Sequence, residues 1–372
     1  MINPQRLLDQ FITLVQIDSE TGQERAICDY LLQRCEQLGL IAHEDDSMVR
    51  TGHAAGNIIA RSRTEGTPVL FSCHMDTVKP GVGVQPRVGK DYVTSDGTTV
   101  LGADDKAGLA ALLEGLQVWQ EKGRTLPPLE IVLTVGEEAG LVGMRNIDSS
   151  CLRSPYGFVL DCDGDVGSIV VSAPAQAVLQ TTIYGRSAHA GLMPEKGISA
   201  IRIASRAISH MRLGRIDAET TANIGRFQGG VASNIIPDHV EILAEARSCN
   251  EAKLNTQVDH MERIFVRTAA TYGGEVAITV ERPYASFNRT REEPVVLHAT
   301  RAVRCIGRTP KYVRSGGASD ANVLTSYRIP TVNLGIGYED VHTTKERISL
   351  RELNKAAELV VALWETCEHY QE

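Results

Sequence analysis

Four short, almost wholly apolar runs, at residues 57–60, 68–73, 129–135 and 157–160, constrain the fold of this 372-residue chain more than any other feature. A strand with no polar face has to be covered on both sides. The Ala/Leu-rich stretch at 106–119 reads as a helix and falls between two of these runs. Strands alternating with helices predict an α/β fold, a mostly parallel sheet with helices on both faces. The same texture returns late in the chain, with a helix at 294–305, a short helix near Ala321, a strand at 331–335 and a last helix at 350–365. At the start, Pro4 opens a helix whose Leu7, Leu8, Phe11, Leu14 and Val15 share one face. Thr21 with Glu24 then shows the capping-box pattern ahead of a second helix.

Between these two stretches the pattern changes. Strands at 177–184, 240–246 and 276–281 and helices at 198–211 and 252–272 form a self-contained α+β unit. The expected organisation is one domain in two parts, residues 1–174 and 285–372, interrupted by an inserted domain at 175–284.

The chemically able side chains fall at the ends of the apolar runs. VLFSC leads into His74 and Asp76, EIVLTV into Glu137 and Glu138, and FVL into Asp161. The loop GADDKAG adds Asp104 and Asp105 at a helix start, and His342 follows the run TVNLG. Open parallel sheets bind ligands beyond the carboxyl ends of their strands, so five segments bring acids or imidazole to one edge. His, Asp and Glu without Cys suit zinc, cobalt or manganese in a hydrolytic site. Asp76, two residues from His74, can hold the imidazole nitrogen that does not ligate. One of Glu137 and Glu138 can bind metal while the other handles a proton, and Asp104 can bridge two ions about 3.5–4 Å apart. Two divalent ions carry +4 against −3 from Asp104, Glu138 and Asp161, which leaves a charge that a bridging hydroxide neutralises. Asp163 and Asp165 are alternatives to Asp161, which is preferred because it ends the strand directly.

In combination, HMDTV at His74, GADDKAG at Asp104, GEEAGLVG at Glu137 and VHTTKE at His342 resemble the two-zinc metallopeptidase family of peptidase T, aminoacylase and carboxypeptidase G. The resemblance spans essentially the whole chain. It implies a zinc-exopeptidase-like catalytic domain at 1–174 and 285–372 with a lid or dimerisation domain at 175–284. It also implies one metal on His74, Asp104 and Asp161, another on Asp104, Glu138 and His342, Glu137 as general base, Asp76 orienting His74, and a cis peptide between Asp104 and Asp105. The run DDKAG is similar to peptidase T, which favours peptides over N-acyl amino acids. In the lid, GRSAHAG, GGVASNIIPD and EARS resemble substrate-contacting segments. His189 would then stabilise the oxyanion, Asn234 and Arg247 would hold a carboxylate, and GGASDAN would bring Ser319 to the substrate.

The reading that follows is a metal-dependent exopeptidase of aminopeptidase or tripeptidase type acting on short peptides, with two divalent ions, zinc first and manganese or cobalt as alternatives. An N-acyl amino acid amidohydrolase and a catalytically silent metal- or peptide-binding protein are the rivals, and an intact Glu137 argues against the second. With 38 Lys and Arg against 46 Asp and Glu, the formal charge of −8 argues against nucleic acid or a membrane surface as partner. A homodimer through the lid is the expected assembly. The first residues lack the pattern of an export signal, and the eight cysteines show no CxxC pair, so a cytoplasmic protein with reduced thiols is expected.

Overall fold

The structure, a computed structural model, describes residues 1–368 and divides the chain into two units. Unit 1 comprises Met1–Val171 with Arg289–Glu372, and unit 2 is Ser172–Asn288. No helix among the described residues is long and apolar enough to cross a membrane.

The apolar runs become the centre of the unit 1 sheet. Its strand order begins Ile41–Glu44, Ile58–Arg61, Leu129–Thr134, Val69–His74, Gly157–Cys162, Thr331–Gly335, Ser168–Ala173. The four strands from Leu129–Thr134 to Thr331–Gly335 run parallel, and antiparallel strands flank them. Every residue of Val69–His74 and Leu129–Thr134 is buried, as strands covered on both faces require. Helices Pro4–Val15, Ala103–Glu121, Pro294–Cys305 and Leu350–Glu368 pack on one another, while Val142–Arg145 and Asp320–Ser326 form a second group. The first group meets the sheet through aromatic rings. Trp364 lies edge-on to both Phe71 and Trp119, with ring centroids 5.8 Å apart in each pair. Such pairs add about 0.5–1.5 kcal/mol each beyond the area they bury.

A smaller antiparallel sheet joins Tyr338–Glu339, Arg347–Ser349, Tyr92–Thr94 and Arg87–Val88. Its first two strands make a hairpin whose turn carries His342, with Asp340 and His342 both at positive φ. The chain leaves unit 1 at Val171 and returns at Arg289, whose amide donates to the Val171 carbonyl at 2.7 Å.

Unit 2 is an antiparallel sheet ordered Gly214–Arg215, Thr220–Gly229, His239–Ser248, Ala175–Tyr184, Glu275–Glu281, against which helices Ala200–Ser209 and Glu251–Thr271 pack. Ala175–Tyr184 alternates buried and more exposed residues, the mark of a sheet with one covered face. The sequence reading missed the ten-residue strand Thr220–Gly229. Its text, TTANIGRFQG, mixes Asn and Gly with few apolar residues, and its second half is largely exposed, so little burial pattern announces it.

Candidate active site

His74 is the last residue of its buried strand. Nδ1 donates to the backbone carbonyl of Asp76 at 2.9 Å, which leaves Nε2 free to ligate, 2.9 Å from Asp104 Oδ1. The carboxylate of Asp76 lies farther from Nδ1, at 3.5 Å, and does other work. Its Oδ1 accepts from the Glu137 amide at 3.0 Å, and its Oδ2 from the Glu138 amide at 3.3 Å and the Thr21 hydroxyl at 2.8 Å. A fully buried carboxylate thus sets the backbone that carries both glutamates.

The GADDKAG segment is held from two sides. Asp104 and Asp105 have non-helical dihedrals, and the regular helix begins only after them. The peptide between them is cis. The buried Glu346 accepts from the Gly102 amide at 2.8 Å and the Asp104 amide at 2.9 Å. Asp105 accepts from the His74 amide and the Gly108 amide, both at 3.2 Å, tying the strand end to the helix start. Gly108 has to be glycine, because a Cβ there would lie 2.4 Å from the Leu160 carbonyl oxygen.

Asp161 lies near the end of its strand. Asn333 brackets its backbone, accepting from its amide at 3.0 Å and donating to its carbonyl. The Tyr338 hydroxyl donates to its Oδ1 at 2.8 Å. Of the three acids weighed in this stretch, Asp161 joins the cluster, with Oδ1 3.6 Å from His74 Nε2, while Asp165 pairs with Lys311 at 2.7 Å. From the hairpin turn, His342 Nε2 comes within 2.9 Å of Glu138 Oε1 and 3.3 Å of Asp104 Oδ2.

Two donor groups result, His74–Asp104–Asp161 and Asp104–Glu138–His342, each with its ligand atoms within 4.8 Å of one another. The ion pairs these carboxylates make with His74 and His342 use the donors themselves. A convergence of like charges from separate segments, with all-His/carboxylate chemistry, fits divalent cations. The electrostatics point the same way. Burial and the neighbouring Asp104 push Asp161 up to about 7. Burial, with Asp161 next, lifts Glu137 well above the usual carboxylate range. His342, hydrogen-bonded to Asp104 and Glu138, rises to about 10, and Asp104, despite burial, is held low by His342 and His74. Paired groups driven apart in this way are a signature of functional sites.

Several residues that serve this cluster went unread in the sequence. Thr21 and Glu24 do not form the expected capping box, since the second helix, Arg25–Gln37, has no side-chain cap. Thr21 instead supports Asp76. The buried Glu24 accepts from the Gly22 amide at 2.8 Å and the Gly136 amide at 3.2 Å and meets His53 Nδ1 at 2.9 Å. His53 in turn packs on Gly136, where a Cβ would lie 2.3 Å from its ring and φ is +58°. Ser319 caps the Asp320–Ser326 helix reciprocally with Asn322, and the adjacent Asp320 accepts from the Thr134 hydroxyl at 2.6 Å.

The lid candidates lie in unit 2. His189 is exposed, and its Nδ1 accepts from the amides of Gly191 and Leu192 at 3.1 and 3.2 Å, so a neutral ring carries its proton on Nε2. Asn234 is its near neighbour, because the Ala190 amide donates to the Asn234 carbonyl at 2.9 Å. Arg247 lies apart from them on the His239–Ser248 strand and pairs with Glu245 through two hydrogen bonds at 3.1 and 3.2 Å.

Known proteins resemble this chain along its length. A model of the peptidase dimerisation domain matches residues 176–273, and one of peptidase family M28 matches residues 57–206. The uncharacterised protein YqjE of Bacillus subtilis strain 168 is 50% identical over 367 residues, 98% of this chain and 99% of its own. The crystal structure of aminopeptidase PepT from Bacillus cereus is 50% identical with a TM-score of 0.90, covering 99% of each chain. That of a tripeptidase from Staphylococcus aureus is 44% identical with a TM-score of 0.92, covering 98% of each. Identity at this level along the full length, together with the donor cluster at the carboxyl edge of the sheet, shows that the chain belongs to the peptidase T-like family of metallopeptidases.

Proposed function

We propose that this peptidase is a two-metal exopeptidase of aminopeptidase or tripeptidase type that trims short peptides. The observation that carries the reading is the meeting of two donor groups on the shared Asp104, with Glu137 beside them and outside both. Two divalent ions, zinc first with manganese or cobalt as alternatives, would supply Lewis acidity toward water and the scissile carbonyl. Glu137 takes the proton of the attacking water and can return it to the leaving amine. Burial lifts its proton affinity above that of an ordinary carboxylate, which suits a group that takes and returns a proton. Asp76 keeps Glu137 in reach by gripping its amide, and His74 presents Nε2 because Nδ1 is already committed.

For unit 2, His189 is proposed as the oxyanion donor, in its own or a partner subunit, since the proton on Nε2 makes it one. Asn234, beside His189, and Arg247, elsewhere on the unit 2 sheet, are each proposed as a contact for a substrate carboxylate, to which Arg offers a planar fork. The loop before Ser319 would add a substrate contact. The relatives named for aminopeptidase and tripeptidase activity support peptides over N-acyl amino acids. A homodimer through unit 2, supported by the match to a dimerisation domain, and a cytoplasmic location complete the reading.

The test is digestion of a short-peptide library and of N-acyl amino acids by metal-loaded protein, with every product identified. Release of N-terminal residues from short peptides is expected. Faster cleavage of the N-acyl compounds would make the protein an amidohydrolase, and no turnover of either would leave only binding.

A further inference from the structure

Two metal positions that share Asp104 still need separate means of holding their other donors. Asp161 is the one terminal carboxylate of the His74 group, and a free carboxylate can offer either oxygen or both. In this chain its backbone is clamped by Asn333 on both sides, and its Oδ1 receives the Tyr338 hydroxyl at 2.8 Å. The Tyr338 ring is 2% exposed and belongs to the main core of unit 1, so the hydroxyl cannot swing away without unpacking that core. Among the described residues the second group has no equivalent. Glu138 meets His342, which is itself a donor of that group and half exposed.

We propose that Tyr338 is a positioning residue that, by donating to Asp161 Oδ1, the oxygen nearest His74 Nε2, fixes how this carboxylate faces the metal held with His74 and Asp104, setting the affinity of that position selectively. The inference rests on the two-metal reading above and adds to it a residue that no donor pattern in the sequence reveals. Partners of this kind orient a ligand and alter its basicity, and removing one typically costs about 10–100-fold in metal affinity.

Tyr338→Phe deletes only the hydroxyl and keeps the packed ring. Two measurements decide the matter. Chelator competition with zinc gives the affinities in solution, and anomalous scattering from crystals grown at limiting zinc gives the occupancy of each position. Wild type should distribute the zinc over both. The variant should lose about 10–100-fold in affinity at the His74–Asp104–Asp161 position, with the Glu138–His342 position nearly unchanged. Thermal unfolding of the metal-free variant should match wild type. Tyr92→Phe, which removes a hydroxyl 3.3 Å from Glu339 in the same small sheet, should leave both positions as they were. Equal weakening of both positions, an unchanged occupancy ratio, or a variant whose metal-free form melts well below wild type would each overturn the proposal in favour of a merely structural tyrosine. Wild type that took up zinc at neither position would sink the two-metal reading itself.

Discussion

The two donor groups differ in how they are built, although they share Asp104. His74 and Asp161 stand at the ends of buried parallel strands, where neighbouring strands and Asn333 already fix the backbone and further hydrogen bonds reach the side chains from Asp76 and Tyr338. His342 stands on a hairpin turn at φ +60°, with a side chain 52% exposed, and Glu138 sits in the turn after its strand, where Asp76 accepts from its amide. Strand ends deliver a donor with little entropy left to lose. Turn donors keep solvent access, which is where substrate has to enter, at a cost in backbone strain of order 1–3 kcal/mol for a non-glycine residue in that region.

That contrast can be tested from its strongest consequence downward. Asp104→Ala should empty both positions and abolish turnover, whereas His342→Ala should empty mainly one, as metal counting by atomic absorption after dialysis would show. Equal single-site losses from the two variants would remove the shared ligand on which the comparison depends. Glu137→Gln should leave both metals bound and lower kcat by about 100- to 10,000-fold, because the amide keeps the shape but cannot accept the proton. Near-normal turnover with full metal content would place the base elsewhere.

Further down the scale, the metal-free protein should separate the two histidines by stability alone. His74→Ala opens a gap in a buried strand end and leaves the Asp76 carbonyl without its partner, a loss of about 1–3 kcal/mol for the unsatisfied group alone. His342→Ala removes a half-exposed side chain together with its ion pairs to Glu138 and Asp104, and should cost less than His74→Ala because water reaches the groups it leaves. Similar denaturant midpoints for the two variants would erase the distinction between strand-end and turn donors.

The smallest effect is on pH dependence. Asp161 and Glu346 are pushed up to about 7 and Asp320 to about 6, burial being the leading cause in each. A folded-state pKa above the unfolded one means the folded protein binds protons more tightly. Its stability therefore rises as pH falls from about 7 toward the ordinary carboxylate range near 4. His74 and His342, also raised, act in the same sense. Metal-free protein should gain about 2–4 °C in Tm for each ~1 kcal/mol so recovered, and metal-loaded protein should not. A scan of Tm between pH 7.5 and 5.5 with and without chelator would show it, and a fall in the metal-free Tm over that range would contradict the sign.

The parallel sheet was legible because its strands are apolar throughout and stop at a polar residue, which also exposed His74, Glu137, Glu138 and Asp161 as strand-end groups. What stayed hidden depends on partners distant in the chain. Thr21 and Glu24 have the hydrogen-bonding capacity of a capping box, but their partners are Asp76 and the Gly136 amide, and no local pattern reports that choice. Asn333 and Tyr338 read as strand interior and core packing until the fold sets them beside Asp161. In unit 2 the Thr220–Gly229 strand was lost because a poorly covered strand needs no apolar alternation to form once its neighbour His239–Ser248 is in place.

The hydrogen bond between Arg289 and Val171 has a consequence for how such a chain can change over generations. Because the exit and return points of unit 1 already touch, the intervening segment is a detour of almost no span, and the strands that hold the hydrolytic side chains need not shift register when it grows, shrinks or is replaced. Loop-closure entropy rises only slowly with length, roughly 0.6 kcal/mol for each doubling, so even a large exchange costs unit 1 little. Whatever the inserted segment recognises or assembles with is therefore free to diversify as an interchangeable cassette, while the machinery that breaks the bond is inherited intact.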